Sequence, residues 1–145
     1  MAKTIITYNE YGNMVEKLTG MIEPKKKQFK FIYGIPRGGV PIAVHLSHHL
    51  DIPIGSKEQI EQEAIYWDQV LVVDDLTDTG VTLWDLYDEW FCEPSNQIVT
   101  ATLIFKPRLD IPRIFKPDYF VMKTLDWITF PWERKDEIPN RDGYL

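Results

Sequence analysis

VLVVDDLTDTGVTL, Val70 to Leu83, is the stretch whose reading decides the fold. Val70 to Val73 form an apolar run suited to a strand buried on both faces, as in a parallel sheet. Asp74 and Asp75 follow at its carboxyl end, where open α/β sheets bind ligands. Thr77, Asp78, Thr79, Gly80 and Thr82 come next, before apolar residues at helical spacing (Val81, Trp84, Leu86, Tyr87, Trp90). The reading is strand, loop, helix. Backbone N–H groups at a helix start, together with hydroxyls and a glycine that lets the chain approach closely, suit a phosphate monoester. Two acids beside such a site either hold a divalent metal through hard oxygen ligands or accept hydrogen bonds from the vicinal hydroxyls of a sugar. Helix capping alone would need one such residue, whereas seven of the nine positions from Asp74 to Thr82 are acid, hydroxyl or glycine.

Upstream, Phe29 to Tyr33 reads as a buried strand that runs directly into Gly34, Ile35, Pro36, Arg37, Gly38 and Gly39. Gly38 and Gly39 permit a close approach that other residues do not, and the planar fork of Arg37 matches phosphate oxygens. Val40 to Leu50 continues as a helix, with Val40, Ala43, Val44 and Leu46 expected on its apolar side. His45 and His49 lie one turn apart beside His48, but no third ligand is evident near them, so a zinc site is not expected. Ile52 to Ile54 reads as a short strand. The connection from Ser56 to Gln69 is only fourteen residues long.

At the N-terminus, Thr7 and Glu10 form a capping box for a helix over Tyr8 to Ile22. Its apolar spacing is Tyr11, Met14, Val15, Leu18 and Ile22, and Pro24 ends it. Lys25 to Lys27 read as a solvated turn. Downstream, Ile98 to Phe105 and Tyr119 to Met122 read as strands. The first ends at Lys106, and an aromatic segment, Asp126 to Trp132, follows the second.

The 145 residues fit one domain with a sizeable core. A formal charge of −6 argues against a general nucleic-acid binder. The single cysteine, Cys92, excludes an internal disulfide and fits a reducing compartment. No apolar run reaches membrane-spanning length and no signal-peptide core is evident, so the expectation is a cytoplasmic protein with neither a membrane nor a nucleic-acid partner.

VVDDLTDTGVT resembles the phosphoribosyl pyrophosphate (PRPP) motif of the type I phosphoribosyltransferases, and the turn at Arg37, Gly38 and Gly39 resembles the pyrophosphate loop of the same family. IFKP followed by DYFVMKTLDWITFPWE is similar to the 6-oxopurine members, particularly the small bacterial xanthine-guanine type. The resemblance implies an α/β fold: a twisted, mainly parallel sheet flanked by helices, with a small hood from the N- and C-terminal segments. It implies that Asp74, Asp75, Thr77, Asp78, Thr79, Gly80, Val81 and Thr82 bind PRPP, with Asp75 on magnesium and Asp78 acting near the N7 proton of the base. Arg37, Gly38 and Gly39 would hold pyrophosphate, and Lys106, Trp127 and Ile128 the purine. Glu133 would aid a second metal. The substrates implied are PRPP and a purine base, the cofactor Mg2+, and the assembly a homo-oligomer, dimer or tetramer. The family's long flexible lid usually occupies the connection that is so short here. Two other readings stay open: the same chemistry on another base, and a non-catalytic or regulatory nucleotide-binding module that has lost the lid.

Overall fold

Strand β1 (Lys3–Ile5) opens the chain, followed by helix α1 (Tyr8–Ile22), a 3-10 turn (Glu23–Gln28) and β2 (Phe29–Gly34). Helices α2 (Gly39–Leu50) and α3 (Lys57–Glu63) precede β3 (Gln69–Thr77), and β4 (Gln97–Phe105), β5 (Tyr119–Lys123) and β6 (Trp127–Thr129) complete the order. The computed structural model describes residues 2–63, 69–80, 83, 85–86, 97–107 and 116–133.

The capping box forms as expected: the Glu10 N–H donates to Thr7 Oγ1 at 3.1 Å while the Thr7 N–H donates to Glu10 Oε1 at 3.4 Å. With Val15, Leu18 and Ile22 buried, α1 lies on the sheet and contacts β4, β5 and α2. Four strands pair in parallel in the order β2-β3-β4-β5, with β3 central. Parallel strands need both faces covered, and the side chains divide accordingly. Leu71 and Val73 of β3 join Leu18, Ile22, Ile42 and Leu46 on the face carrying α1 and α2. Val70 and Val72 pack with Ile60 of α3 and with Leu83 and Leu86 on the other face. Leu83 and Leu86 are helical, whereas Val81, Trp84, Tyr87 and Trp90 of the expected helix lie outside the described residues.

Three expectations are corrected. β3 runs through both acids to Thr77, because Asp74, Leu76 and Thr77 stay in register with Thr102, Ile104 and Phe105 of β4; Thr77 is strand, not loop. The stretch from Ile52 to Ile54 supplies a single bridge, Ile32 to Ile54, held by the Ile32 N–H on the Pro53 carbonyl (2.9 Å) and the Gly55 N–H on the Ile32 carbonyl (3.0 Å). The inward side of α2 is Gly39, Ile42, Ala43, Leu46 and Leu50, while Val40 and Val44 are each 42 % exposed.

The terminal segments form the hood. β1 and β6 pair in parallel, Lys3 opposite Trp127 and Ile5 opposite Thr129. The Trp127 N–H donates to the Ala2 carbonyl at 2.9 Å, and Thr4 Oγ1 donates to Asp126 Oδ2 at 2.9 Å. Lys3–Ile5 and Trp127–Thr129, far apart in the chain, are thereby fixed together. Asp118 sets the register below: its Oδ2 accepts from the Thr100 N–H (2.8 Å) and Thr100 Oγ1 (3.1 Å), tying β5 to β4.

Within the described part of the Ser56 to Gln69 connection, α3 is a docked helix. Ser56 Oγ accepts from the Gln59 N–H at 3.1 Å, and Ile60 is buried against Phe31, Val70 and Val72. Residues 64–68 lie outside the described residues. No helix among the described residues is long and apolar enough to cross a membrane.

Candidate active site

The turn after β2 and the acid-bearing end of β3 are neighbours, and glycine is what lets them touch. A Cβ on Gly38 would run into both oxygens of the Asp75 carboxylate, and one on Gly39 would run into the Val73 carbonyl oxygen. Any side chain there would push the turn off the strand or turn the carboxylate away. The Ile35 N–H donates to the Val73 carbonyl at 2.9 Å and the Gly39 N–H to the Ile35 carbonyl at 2.9 Å, so the turn is bonded to β3 as well as packed on it. The Pro36–Arg37 peptide bond is cis, and the Arg37 side chain is exposed beside this junction.

Asp74 and Asp75 are each only 5 % exposed. Asp74 Oδ1 accepts from the Asp75 N–H at 2.9 Å. Burial, then the negative charge and side-chain hydrogen bond of Asp75, hold the Asp74 carboxyl well above its usual range, against the opposing effect of that N–H. Two carboxyl groups in one poorly hydrated place are costly unless they share a proton or meet a cation.

Beyond the acids, Thr77 is buried, and its Oγ1 lacks a hydrogen-bond partner among the described residues. Asp78 and Thr79 are half-buried, and Gly80 turns the chain with φ of 77°, a conformation that side chains disfavour. Val81 and Thr82 lie outside the described residues.

At the end of the neighbouring strand, the Lys106 N–H donates to the Thr77 carbonyl at 2.8 Å. This bond sets the lysine beside the start of the Thr/Asp/Gly loop. Its Nζ lies 5.2 Å from the centre of the Trp127 ring, and Ile128 is buried behind it in the hood. Glu133 closes the turn after β6, its Oε1 accepting from the Phe130 N–H at 3.0 Å. The three histidines do not gather ligands: the rings of His45 and His49 stack at 4.2 Å. Among the described residues no group of three His, Cys, Asp or Glu is arranged to hold a metal ion.

No family model and no curated protein sequence matches the chain. Among solved structures, it is 30% identical to the purine phosphoribosyltransferase of Pyrococcus horikoshii, with a TM-score of 0.76 over 95% of this chain and 99% of that one. The chain belongs to the purine phosphoribosyltransferases. Two further structures share the fold at 22% identity. One is the xanthine-guanine-hypoxanthine phosphoribosyltransferase of Helicobacter pylori (TM-score 0.70, 90% of this chain and 91% of that one). The other is a Neisseria gonorrhoeae protein with bound ppGpp (TM-score 0.75, 93% and 91%).

For this phosphoribosyltransferase, one residue near the acids has no signal in the sequence beyond its helical spacing. Tyr11 of α1 has a buried hydroxyl, and burial followed by the charge of Asp75 pushes its pKa up to about 12. Its ring meets Trp132 edge-on at 5.1 Å, and Trp132 stacks on Phe130 at 4.8 Å.

The acid pair sets a pH dependence. A carboxyl whose folded pKa lies above its unfolded value of 3.8 stabilises the fold while protonated and loses that contribution as pH rises. At pH 7.5, without divalent cations, Asp74 therefore costs stability, and Asp74→Asn should raise the melting temperature, each kcal/mol appearing as about 2–4 °C. The gain should shrink towards pH 4. A variant that melts lower than the parent at both pH values would show that Asp74 is not held against its charge.

Proposed function

We propose that this chain transfers the 5-phosphoribosyl group from PRPP to a 6-oxopurine, releasing pyrophosphate and a nucleoside 5′-monophosphate. The observation that carries the reading is the junction itself: a buried acid pair pressed against a glycine turn with an arginine, one strand away from a lysine set over an indole.

On this reading Asp74 and Asp75 face the ribose hydroxyls. Thr77 at the end of β3 and the loop of Asp78, Thr79, Gly80, Val81 and Thr82 receive the 5′-phosphate, and the Thr77 hydroxyl would gain a partner there. Arg37, with the backbone of Gly38 and Gly39, takes the pyrophosphate. The anomeric C–O bond breaks with its electron pair leaving on pyrophosphate, a ring nitrogen of the purine forms the new bond to that carbon, and Asp78 receives the purine proton near N7. Positive charge develops on the sugar during the exchange, and the nearby carboxylates favour it.

Asp74 and Asp75 fit Mg2+. A small hard cation that retains waters and takes phosphate oxygens from its substrate needs only one or two protein carboxylates, and the buried pair supplies them. Asp75 would hold it, and when bound it neutralises charge on the departing pyrophosphate. Glu133, committed to the turn at Phe130, is not included in this set.

Lys106 and Trp127 suit the base. An indole face stacks a planar heterocycle, and an ammonium donates to an exocyclic oxygen but not to an amino group, so a 6-oxopurine fits where adenine does not. Ile128 lies next in the strand that would line the base. The reading further includes a cytoplasmic homo-oligomer.

Hypoxanthine, xanthine, guanine and adenine, each offered with PRPP and magnesium, test the proposal. At least one 6-oxopurine should give its nucleotide and adenine should not. Lys106→Ala should raise the KM for that purine about tenfold or more, the value of a hydrogen bond to a charged group. Equal use of adenine would remove Lys106 from base selection, and PRPP binding without product from any base would favour a nucleotide-binding module.

The docked α3 generates a second expectation. Ile60 holds this helix against Phe31, Val70 and Val72, and the connection is too short for a long closing loop, so water should compete with the purine at the anomeric carbon. Ribose 5-phosphate should form from PRPP alone, at a measurable fraction of a slow transferase rate. Alternatively a neighbouring subunit closes the site, and specific activity falls on dilution. Rapid turnover with neither hydrolysis nor dilution dependence would contradict both.

A further inference from the structure

The two side chains assigned to the purine are carried by different sheets. Lys106 follows β4 of the main sheet, whereas Trp127 opens β6, which among the described residues pairs with β1 alone. A two-stranded pair is marginal by itself, so the 5.2 Å from the lysine Nζ to the indole centre depends on what anchors the hood. Ile6, Ile128 and Phe130 bury their side chains in the main core. That burial sets the depth of the hood but, being non-directional, leaves its sideways position open. Hydrogen bonds supply the direction. The Thr124 N–H donates to the carbonyl of Phe105, the residue before Lys106, at 3.1 Å, and the Asp126 N–H donates to Thr124 Oγ1 at 3.1 Å. Asp126 Oδ2 in turn accepts from Thr4 Oγ1 at 2.9 Å, and the Trp127 N–H donates to the Ala2 carbonyl at 2.9 Å. A run of bonds therefore leads from the backbone beside Lys106 to the backbone that carries the indole.

Resting on the function proposed above, we infer that Thr4 is a positioning residue of the purine subsite, which acts through Asp126 on the spacing between the Trp127 ring and Lys106. Its bond is the one in this run that joins two side chains, and it pairs a hydroxyl donor with a carboxylate acceptor. Cutting it leaves β1 and β6 paired through their backbones, Lys3 opposite Trp127 and Ile5 opposite Thr129. What it releases is the Asp126 side chain, and with it the orientation of the residue that follows. A planar base that stacks on an indole and accepts from an ammonium tolerates little displacement of one against the other, because both interactions depend on geometry. The glycine turn and the acids belong to the β2 and β3 ends of the main sheet, outside this run of bonds. The purine should therefore feel the loss of the Thr4 hydroxyl while PRPP does not.

The test is Thr4→Val, which keeps a branched side chain suited to a strand and removes the hydroxyl. With the 6-oxopurine that the unmodified protein uses best, the purine KM should rise about fivefold, the worth of one intramolecular hydrogen bond, while the PRPP KM stays within about twofold. Thr4→Ser retains the hydroxyl and should restore the purine KM. Asp126→Ala should raise it by a similar factor, and the double variant should be no worse than the worse single one, because a shared bond is lost only once. An unchanged purine KM in Thr4→Val would overturn the inference, as would equal rises for purine and PRPP or additive losses in the double variant. So would a Thr4→Val protein that does not fold, or a Thr4→Ser protein that behaves like it, since each makes the threonine structural. Absence of phosphoribosyl transfer in the unmodified protein would instead refute the function on which the inference rests, so the parent alone tells the two failures apart.

Discussion

The contact on which the rest of the structure depends is the Asp75 carboxylate lying against the bare backbone of Gly38. It joins the turn after β2 to the end of β3, far apart in the chain, and it exists only because neither Gly38 nor Gly39 carries a Cβ. Around it the order of strands has a clear consequence. β2 brings the glycine turn, β3 the acids and β4 the lysine, so parallel pairing alone lines three chemically different strand ends along one edge. The hood, closed by pairing between β1 and β6, then sets Trp127 over the last of them.

Electrostatics sharpen the picture. The chain carries a formal charge of −6 and still buries two adjacent carboxyls at the place assigned to a polyanion. For stability alone this is a poor choice, since removing like charges from water is costly and their mutual repulsion adds to it. The cost becomes intelligible when the site is completed by a cation and a sugar diol: what opposes the empty fold is what recognises the ligand. The Thr77 hydroxyl, two residues beyond the acid pair and without a hydrogen-bond partner among the described residues, follows the same logic as a polar group kept dry.

Much of this was legible in the sequence because it is encoded locally. An apolar run ending in Asp74 and Asp75, a glycine pair after Phe29 to Tyr33, and the Thr7–Glu10 capping box each state their structure within a dozen residues. Features that depend on packing between distant elements were not legible. Val40 and Val44 look as apolar as Ile42 and Leu46, and only the direction in which α2 crosses β2 and β3 decides which pair is buried. Ile52 to Ile54 has strand composition but finds one bridge at the edge of the sheet. Thr77 has loop composition, yet β4 extends far enough to keep it paired. Tyr11 reads as one apolar position on an amphipathic helix, and its relation to Asp75 arises from where α1 lies across β4 and β5.

The central claim is that Asp75, seated against the glycine turn, makes a cation-dependent phosphoribosyl site. Calorimetric titration of PRPP into the protein, with magnesium and then with the cation chelated, tests it directly. The account predicts one site per chain, with affinity falling at least tenfold on chelation and by a comparable factor in Asp75→Asn, whose melting temperature should not fall below that of the parent. Binding of equal strength with and without magnesium, and undiminished in Asp75→Asn, would contradict it.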